Sequence, residues 1–131
     1  MESSNIENDF VVLTPSKQAN SITNTHDMYE RLNTEYSDFK GHELISCYSF
    51  SENWSTWEIH PHGDEIVMLL SGSATFILDV DGEKQHVHLS RAGEYAIIPR
   101  NTWHTAHVVD MAKVLFITPG EGTRHKPDES M

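Results

Sequence analysis

An all-β fold, a sandwich or barrel of short antiparallel strands, is predicted by three features of this sequence. Between His42 and Thr118 the chain consists of about eight short runs rich in β-branched and aromatic residues. Turn sequences separate these runs, and Asp81-Gly82 between two alternating runs is a strong hairpin signal. Several runs also alternate apolar and polar positions, which is the period of a strand. Short strands at this spacing are typical of a sandwich or barrel and not of an α/β fold.

The chain is predicted to have one domain with three parts. Residues 1–41 form an N-terminal extension that contains an edge strand and a short helix. Residues 42–118 form the barrel. Residues 119–131 form a polar tail rich in glycine and proline, which we expect to fray.

The elements of the N-terminal extension follow from its few apolar residues. The apolar run Phe10–Leu13 predicts the edge strand, and a loop is expected over residues 16–24. Thr25 is the predicted N-cap of the helix. The apolar face of that helix is expected to consist of Met28, Tyr29 and Leu32.

Composition argues against several kinds of partner and site. The formal charge of −11, from 20 acidic and 9 basic residues, would repel nucleic acid. No apolar run approaches the roughly 20 residues that span a bilayer, so no membrane partner is expected. The N-terminal sequence MESSNIENDF lacks the basic and apolar regions of a signal peptide, which predicts a cytoplasmic protein. Cys47, the only cysteine, can form neither an internal disulfide nor a thiolate metal cage.

Strand alternation predicts which side chains near residue 58 share a face. In the run STWEIH, Glu58 and His60 point to one side, and Trp57 and Ile59 to the other. Trp54 has the parity of Glu58 and is a candidate to line a pocket. The carboxylate and the imidazole therefore face the same space.

The following run, EIVMLL, is apolar on both faces. Glu65 shares one face with Val67 and Leu69, whereas the opposite face consists of Ile66, Met68 and Leu70. Either the N-terminal segment or a second subunit must cover that outer face. We expect a two-fold homodimer, because closed symmetric pairs are the commonest assemblies.

Two stretches of the chain resemble the two sequence motifs of the cupin superfamily. WEIHPHGDEIVMLLSG is similar to the first motif, and GEYAIIPRNTWH is similar to the second. The residues at the family's spacing are Glu65, Gly72, Gly93, Pro99 and His104. Asn101 stands where a glycine is common. The resemblance covers roughly residues 42–118 and implies a jelly-roll cupin barrel, also called a double-stranded β-helix.

A narrower resemblance is to a group of small bacterial single-domain cupins of the type-2 conserved-barrel kind. These share WE-x-HP-x-GDE-x4-L-x-G, a later WHT and a TPGEGT sequence before the tail. All three are present here, the last at Thr118–Thr123. This resemblance specifies the fold more closely but does not indicate the substrate.

The cupin resemblance implies a metal site formed by Glu58, His60, Glu65 and His104. Glu58 occupies a position where the family usually has histidine. An alternative register would pair His60 with His62. We prefer the first register because Pro61-His62-Gly63-Asp64 is a turn sequence, and a turn residue is poorly placed to point inward.

The four donors suit a divalent cation. Two imidazoles and two carboxylates favour manganese, iron(II), zinc, cobalt or nickel over copper(I), and the two anions would neutralise a dication. Glu65 is the candidate for proton transfer, while Trp54 and His62 are candidates for the substrate pocket. The alternative is an empty barrel whose polar residues satisfy one another.

The remaining histidines are not predicted to bind metal. His86 and His88 flank Val87 on the polar face of their strand, and His107 has the opposite parity to His104. No role is assigned to the three others, which are His26, His42 and His125.

Two functions are compatible with these features. The first is a metal-dependent enzyme of dioxygenase, isomerase or lyase type that acts on a small molecule. The second is a non-catalytic module that binds or senses a small molecule. The resemblance favours the enzyme, but it is a resemblance of fold and not of substrate.

Overall fold

Two antiparallel sheets enclose the interior of the protein in the computed structural model, which describes residues 1–128. Within this range there is one α-helix, α1 (Met28–Glu35), and a short turn at Ser37–Phe39 follows it. The strands are β1 (Asp9–Leu13), β2 (Ala19–Thr23), β3 (Glu43–Phe50), β4 (Thr56–Ile59), β5 (Glu65–Gly72), β6 (Ala74–Val80), β7 (Glu83–Leu89), β8 (Tyr95–Ile98), β9 (His104–His107), β10 (Ala112–Thr118) and β11 (Arg124–Pro127).

The order of the strands gives a jelly-roll barrel. The first sheet has the order β2-β1-β3-β10-β5-β8, and the second has the order β11-β4-β9-β6-β7. Consecutive strands from β4 to β10 alternate between the two sheets except at the β6–β7 hairpin, so inward-facing residues of both sheets form one core. Phe76 and Leu69 lie at its centre, completely buried. The predicted all-β fold with a short N-terminal helix is confirmed.

The segment predicted as a loop over residues 16–24 contains a strand, so that prediction was wrong. Strand β2 pairs with β1 along its whole length, and Phe10 lies opposite Ile22. Both side chains are buried in a second apolar cluster that also contains Met28 of α1. The pattern was hard to recognise because Ile22 is the only buried residue of this edge strand. The prediction of β1 as an edge strand was also wrong, because β1 lies between β2 and β3 and β2 forms the edge.

Helix α1 begins later than predicted. Asp27, and not Thr25, precedes its first turn, and Asp27 makes no side-chain capping bond. Met28 and Leu32 are buried as predicted. Tyr29 is exposed, because it lies about 100° around the helix from Met28.

The C-terminal tail is also more ordered than predicted. Strand β11 pairs with β4, with His125 opposite Glu58. All four residues of β11 are exposed, so backbone hydrogen bonds to a free strand edge hold it rather than apolar burial. Lys126 adds a cation–π contact, with its Nζ 4.5 Å from the ring centroid of Trp103. Our expectation of fraying was therefore wrong for residues 124–127, and residues 129–131 lie outside the described range.

The outer face of the six-stranded sheet carries two apolar rows in register. We call this surface the outer apolar face; its first row is Val11, Ile45, Ile117, Ile66 and Ile97. The second row is Cys47, Leu115, Met68 and Tyr95. Tyr95 and Ile97 are 58% and 55% exposed. The β1–β2 hairpin extends the far edge of this sheet, so it does not cover this end of the face.

Among the described residues, α1 is the one α-helix, and it is far too short and polar to cross a bilayer.

Candidate metal centre

The four predicted ligands are brought to one end of the barrel interior by three strands. Glu58 lies on β4, and His60 follows directly after that strand. Glu65 is the first residue of β5, which the turn at residues 61–64 folds back. His104 is the first residue of β9 and lies opposite Glu58 in the pairing of β4 with β9.

Glu65 lies between the two imidazoles. Its Oε1 is 3.1 Å from His104 Nε2, and its Oε2 is 3.4 Å from His60 Nε2. Glu58 Oε2 approaches the same nitrogens at 3.7 Å for His60 and 4.0 Å for His104. One donor atom from each of Glu58, His60 and His104 lies within 4.8 Å of the others. This is the spacing of donors around a single cation.

Three of these donor atoms are buried without a hydrogen bond. His60 Nε2, Glu65 Oε1 and His104 Nε2 have no hydrogen-bond partner of good geometry among residues 1–128. The three residues are 5%, 2% and 0% exposed. Buried polar atoms without partners are rare because each one loses its interactions with water. A divalent cation would satisfy all three, so the donor set fits a metal.

Hydrogen bonds on the other side of each ring fix the tautomers. His60 Nδ1 is 2.8 Å from Thr123 Oγ1, and that hydroxyl donates its hydrogen to the carbonyl oxygen of Gly120 at 2.8 Å. Thr123 Oγ1 therefore accepts from His60 Nδ1–H. His104 Nδ1 donates to the carbonyl oxygen of Thr102 at 3.1 Å. With hydrogen on both Nδ1 atoms, both Nε2 atoms can bind a cation.

A single stretch of chain supports three of the four candidate ligands. We call residues 118–125 the C-terminal segment. Thr118 Oγ1 donates to Glu65 Oε2 at 2.6 Å, and Thr123 accepts from His60. His125 Nε2 lies 3.2 Å from Glu58 Oε1. Neither Thr123 nor His125 was predicted to have a role, although Thr123 ends the TPGEGT sequence that this chain shares with the small single-domain cupins.

Two glycines allow the C-terminal segment to pack against the turn at residues 61–64. A Cβ atom on Gly63 would lie 2.8 Å from Cβ of Pro119, closer than side chains tolerate. Gly122 has a positive φ of 70°, and a Cβ there would contact Pro61 and His62. The turn that positions Glu65 and the segment that supports it therefore fit together only with glycine at these sites.

The electrostatics of the site couple the acids to the histidines. Burial alone would raise the pKa of Glu65, but its contacts with His104 and His60 outweigh burial and lower the pKa to about 2. Burial would likewise lower the pKa of His60, but Glu58 and Glu65 raise it to about 9. Burial would also raise the pKa of Glu58, but contact with His60 and the other imidazole outweighs burial and lowers the pKa. Without a cation, the carboxylates are thus ionised and His60 is protonated at neutral pH.

The two residues predicted to line the substrate pocket, Trp54 and His62, lie in different places. His62 is exposed, and its Nε2 is 3.9 Å from Glu121 Oε2 at a second, smaller cavity. Trp54 lies against the site, with its ring centroid 6.3 Å from that of His104. His86 and His88 are exposed on β7, as predicted. The structure therefore does not bring His62 together with the four candidate ligands.

A cavity of about 760 Å³ opens next to the candidate ligands. Strands β3 and β10, helix α1 and the C-terminal segment form its walls. Trp54, predicted as a pocket residue, is among the lining residues, and Glu58, His60 and Glu65 form one end. The volume is in the range of small-molecule sites.

Comparison with protein families identifies the fold. The Cupin domain family matches residues 48–118, more than half of the 131-residue chain. The chain belongs to the cupin family. A comparison with curated proteins found no match.

Several solved structures share this fold at low sequence identity. A cupin-2 domain protein from Shewanella frigidimarina is 21% identical with a TM-score of 0.50, covering 59% of this chain and 70% of that one. An oxalate oxidase is 22% identical with a TM-score of 0.52, covering 62% of this chain and 44% of the oxidase. Peruvianin-I from Thevetia peruviana, described as a cysteine peptidase, is 16% identical with a TM-score of 0.54, covering 65% and 56%. This chain thus matches less than half of the oxidase, and these likenesses show the fold alone.

The cupin motifs explain one backbone feature near the site. Asn101, at a position where the second motif often has glycine, has a positive φ of 61°. Asparagine tolerates this conformation better than most residues. The backbone N–H of Asn101 donates to the carbonyl oxygen of His60 at 3.0 Å, which ties the turn before β9 to the candidate ligand.

The raised pKa of His60 predicts how the stability of the metal-free protein depends on pH. Its folded-state pKa of about 9 exceeds the usual 6.5, so its stabilising effect is complete below about pH 6.5 and is lost as pH rises through 9. We expect the free energy of unfolding in chelator to fall by on the order of 3 kcal/mol over that range. Urea denaturation at several pH values measures this. The variant His60→Gln should show a much flatter profile; an equally steep profile would contradict the assignment.

The hydrogen bond from His60 to Thr123 predicts a role in metal affinity. Thr123→Val keeps the shape of the side chain but removes the acceptor that orients the ring, so metal affinity should fall about 10- to 100-fold. Competition with a chelating dye measures the affinity. Thr34→Val, on the exposed side of α1, is the matched control and should leave affinity unchanged. Equal affinities for the two variants would show that Thr123 does not position the ring.

Proposed function

We propose that this cupin holds a divalent cation with Glu58, His60, Glu65 and His104 and acts on a small molecule bound in the adjoining cavity. The observation that carries the proposal is the set of buried donor atoms without hydrogen bonds on His60, Glu65 and His104, which lie together at the cavity. The Nδ1 hydrogen bonds of both imidazoles support it, because they leave both Nε2 atoms for the cation. Zinc, iron(II), manganese and nickel all suit the donor set.

The bound cation would supply Lewis acidity, or oxygen binding if it is iron(II). Of the two carboxylates, Glu65 was the predicted proton carrier, but both of its oxygens contact buried groups. Glu58 is less buried, borders the cavity and contacts the exposed His125. We therefore propose that Glu65 serves only as a metal ligand, whereas Glu58 is a metal ligand that also forms, with His125, the route by which a proton moves between the bound small molecule and solvent.

Metal binding to purified protein without an affinity tag tests this function. Elemental analysis should find close to one divalent ion per chain. Added metal should raise the melting temperature, because it binds only the folded state. His104→Ala should abolish this rise, whereas His86→Ala, on the exposed face of β7, should not change it.

Two further variants in the same experiment distinguish the two possible ligand pairs, Glu58 with His60 and His60 with His62. Glu58→Ala should weaken metal binding, and His62→Ala should leave it intact because His62 points away from the site. The reverse result would show that His60 and His62 form the ligand pair. Metal bound without turnover of any small carbonyl or phenolic compound would favour the alternative function, a binding or sensing module.

We also propose that the protein forms a two-fold homodimer through the outer apolar face. Its two rows cross strands of both the hairpin and the barrel, and Tyr95 and Ile97 at one edge are exposed. The other side chains of the two rows are half-buried, except for the buried Cys47. A contiguous apolar surface with exposed aromatic and aliphatic side chains is typical of a surface that contacts another protein chain. A two-fold axis lets the same patch cover itself on both subunits.

Light scattering after gel filtration should give the mass of a dimer at micromolar concentration. Ile97→Glu places a charge at the exposed edge of the outer apolar face and should give a monomer, because an unpaired buried charge is strongly unfavourable. His86→Glu on exposed β7 is the control and should remain dimeric. A monomeric wild-type protein would exclude this interface.

A further inference from the structure

We infer that the cavity selects an uncharged molecule with an apolar body and a neutral oxygen donor, a hydroxyl or carbonyl, and disfavours carboxylates. This inference rests on the proposed function of the same site. It follows from three independent properties of the cavity: the charge at its inner end, the absence of basic residues from its wall, and the apolar character of that wall.

The charge at the inner end follows from the ligand set. Glu58 and Glu65 supply two negative charges, which together neutralise a divalent cation. A site with histidine in place of Glu58 would keep one positive charge. This site therefore attracts an anionic ligand less strongly than a site with one carboxylate would, whereas a hydroxyl or carbonyl oxygen depends only on the coordination.

The wall of the cavity adds no positive charge. Among the described residues, none of those that line it is lysine or arginine, and Asp38 adds a further acid near the opening. His125 is the one exposed imidazole on the wall, and it already contacts Glu58. The protein as a whole carries −11 charges, so the surrounding field also opposes an anion.

The apolar part of the wall suits a ring or an alkyl group. The rings of Trp54 and Phe116 lie with centroids 6.0 Å apart next to the candidate ligands. Leu32, Phe39 and Leu44 continue this surface toward the opening. A ligand that filled this space would gain the burial of its own apolar surface.

Two phenols provide the neutral polar contact. Tyr29 of α1 and Tyr48 of β3 line the cavity, and their hydroxyl oxygens are 2.7 Å apart. One hydroxyl donates to the other, which leaves one phenolic hydrogen free to donate to an oxygen of a ligand. Such a neutral donor recognises an oxygen without requiring charge.

Calorimetric titration of the zinc-loaded protein tests the inference with two matched pairs of ring compounds, benzamide with benzoate and phenylacetamide with phenylacetate. Zinc content is measured first, since failure to retain zinc would refute the proposed function itself. In zinc-loaded protein we expect each amide to bind on the order of tenfold more tightly than its carboxylate. Equal or tighter binding of the carboxylates, or no binding of either amide at millimolar concentration, overturns the inference and leaves the metal site standing.

Two variants that add positive charge give the reverse test. Glu58→His should raise the affinity for benzoate on the order of tenfold, with little effect on benzamide. Asn33→Arg adds a charge at the opening from an exposed helix position, so it should have a smaller effect of the same sign even if Glu58→His does not fold. Thr34→Arg adds the same charge on α1 outside the cavity and is the control. Equal benzoate affinity for Asn33→Arg and Thr34→Arg would overturn the inference.

Discussion

The burial of the Glu65 carboxylate between two imidazoles is the constraint on which the rest of this structure depends. A carboxylate that is 2% exposed is stable only if cations or hydrogen-bond donors surround it. His60 and His104 approach its two oxygens, and Thr118 donates to one of them. Strands β5, β9 and β10, which carry Glu65, His104 and Thr118, and strand β4, which leads directly to His60, must therefore keep their relative positions. Gly63 and Gly122 allow the turn before Glu65 and the C-terminal segment to pack closely, which helps to keep these positions.

The parts of the site that could be predicted from sequence are those governed by strand alternation and by the cupin motifs. The period of two places Glu58 and His60 on one face, and the turn after His60 excludes His62 from that face. The parts that could not be predicted depend on contacts between distant residues. Thr123 and His125 follow a glycine-rich turn, and no local pattern indicates that β11 returns to pair with β4.

The errors in the predicted fold have a common physical origin. Strands β2 and β11 both lie at edges of sheets, where one backbone side pairs and the side chains remain mostly exposed. Prediction from hydrophobic periodicity requires a buried face, so it recognises central strands such as β5 and misses β2 and β11. The exposed edge strand β7 was recognised because the Asp81-Gly82 turn joins it to β6. The displaced start of α1 is a smaller error, since several residues before Met28 are polar enough to cap a helix.

The support of the candidate ligands by the C-terminal segment has a consequence for the order of folding. The three hydrogen bonds that link this segment to Glu65, His60 and Glu58 join residues 53, 63 and 67 positions apart in the chain. Contacts of such high sequence separation close large loops and form late, after local hairpins such as β6–β7. We therefore expect the ligands to reach their final geometry only in the last stage of folding. A newly made chain would therefore pass through a state in which local hairpins have formed but the affinity for metal is still weak.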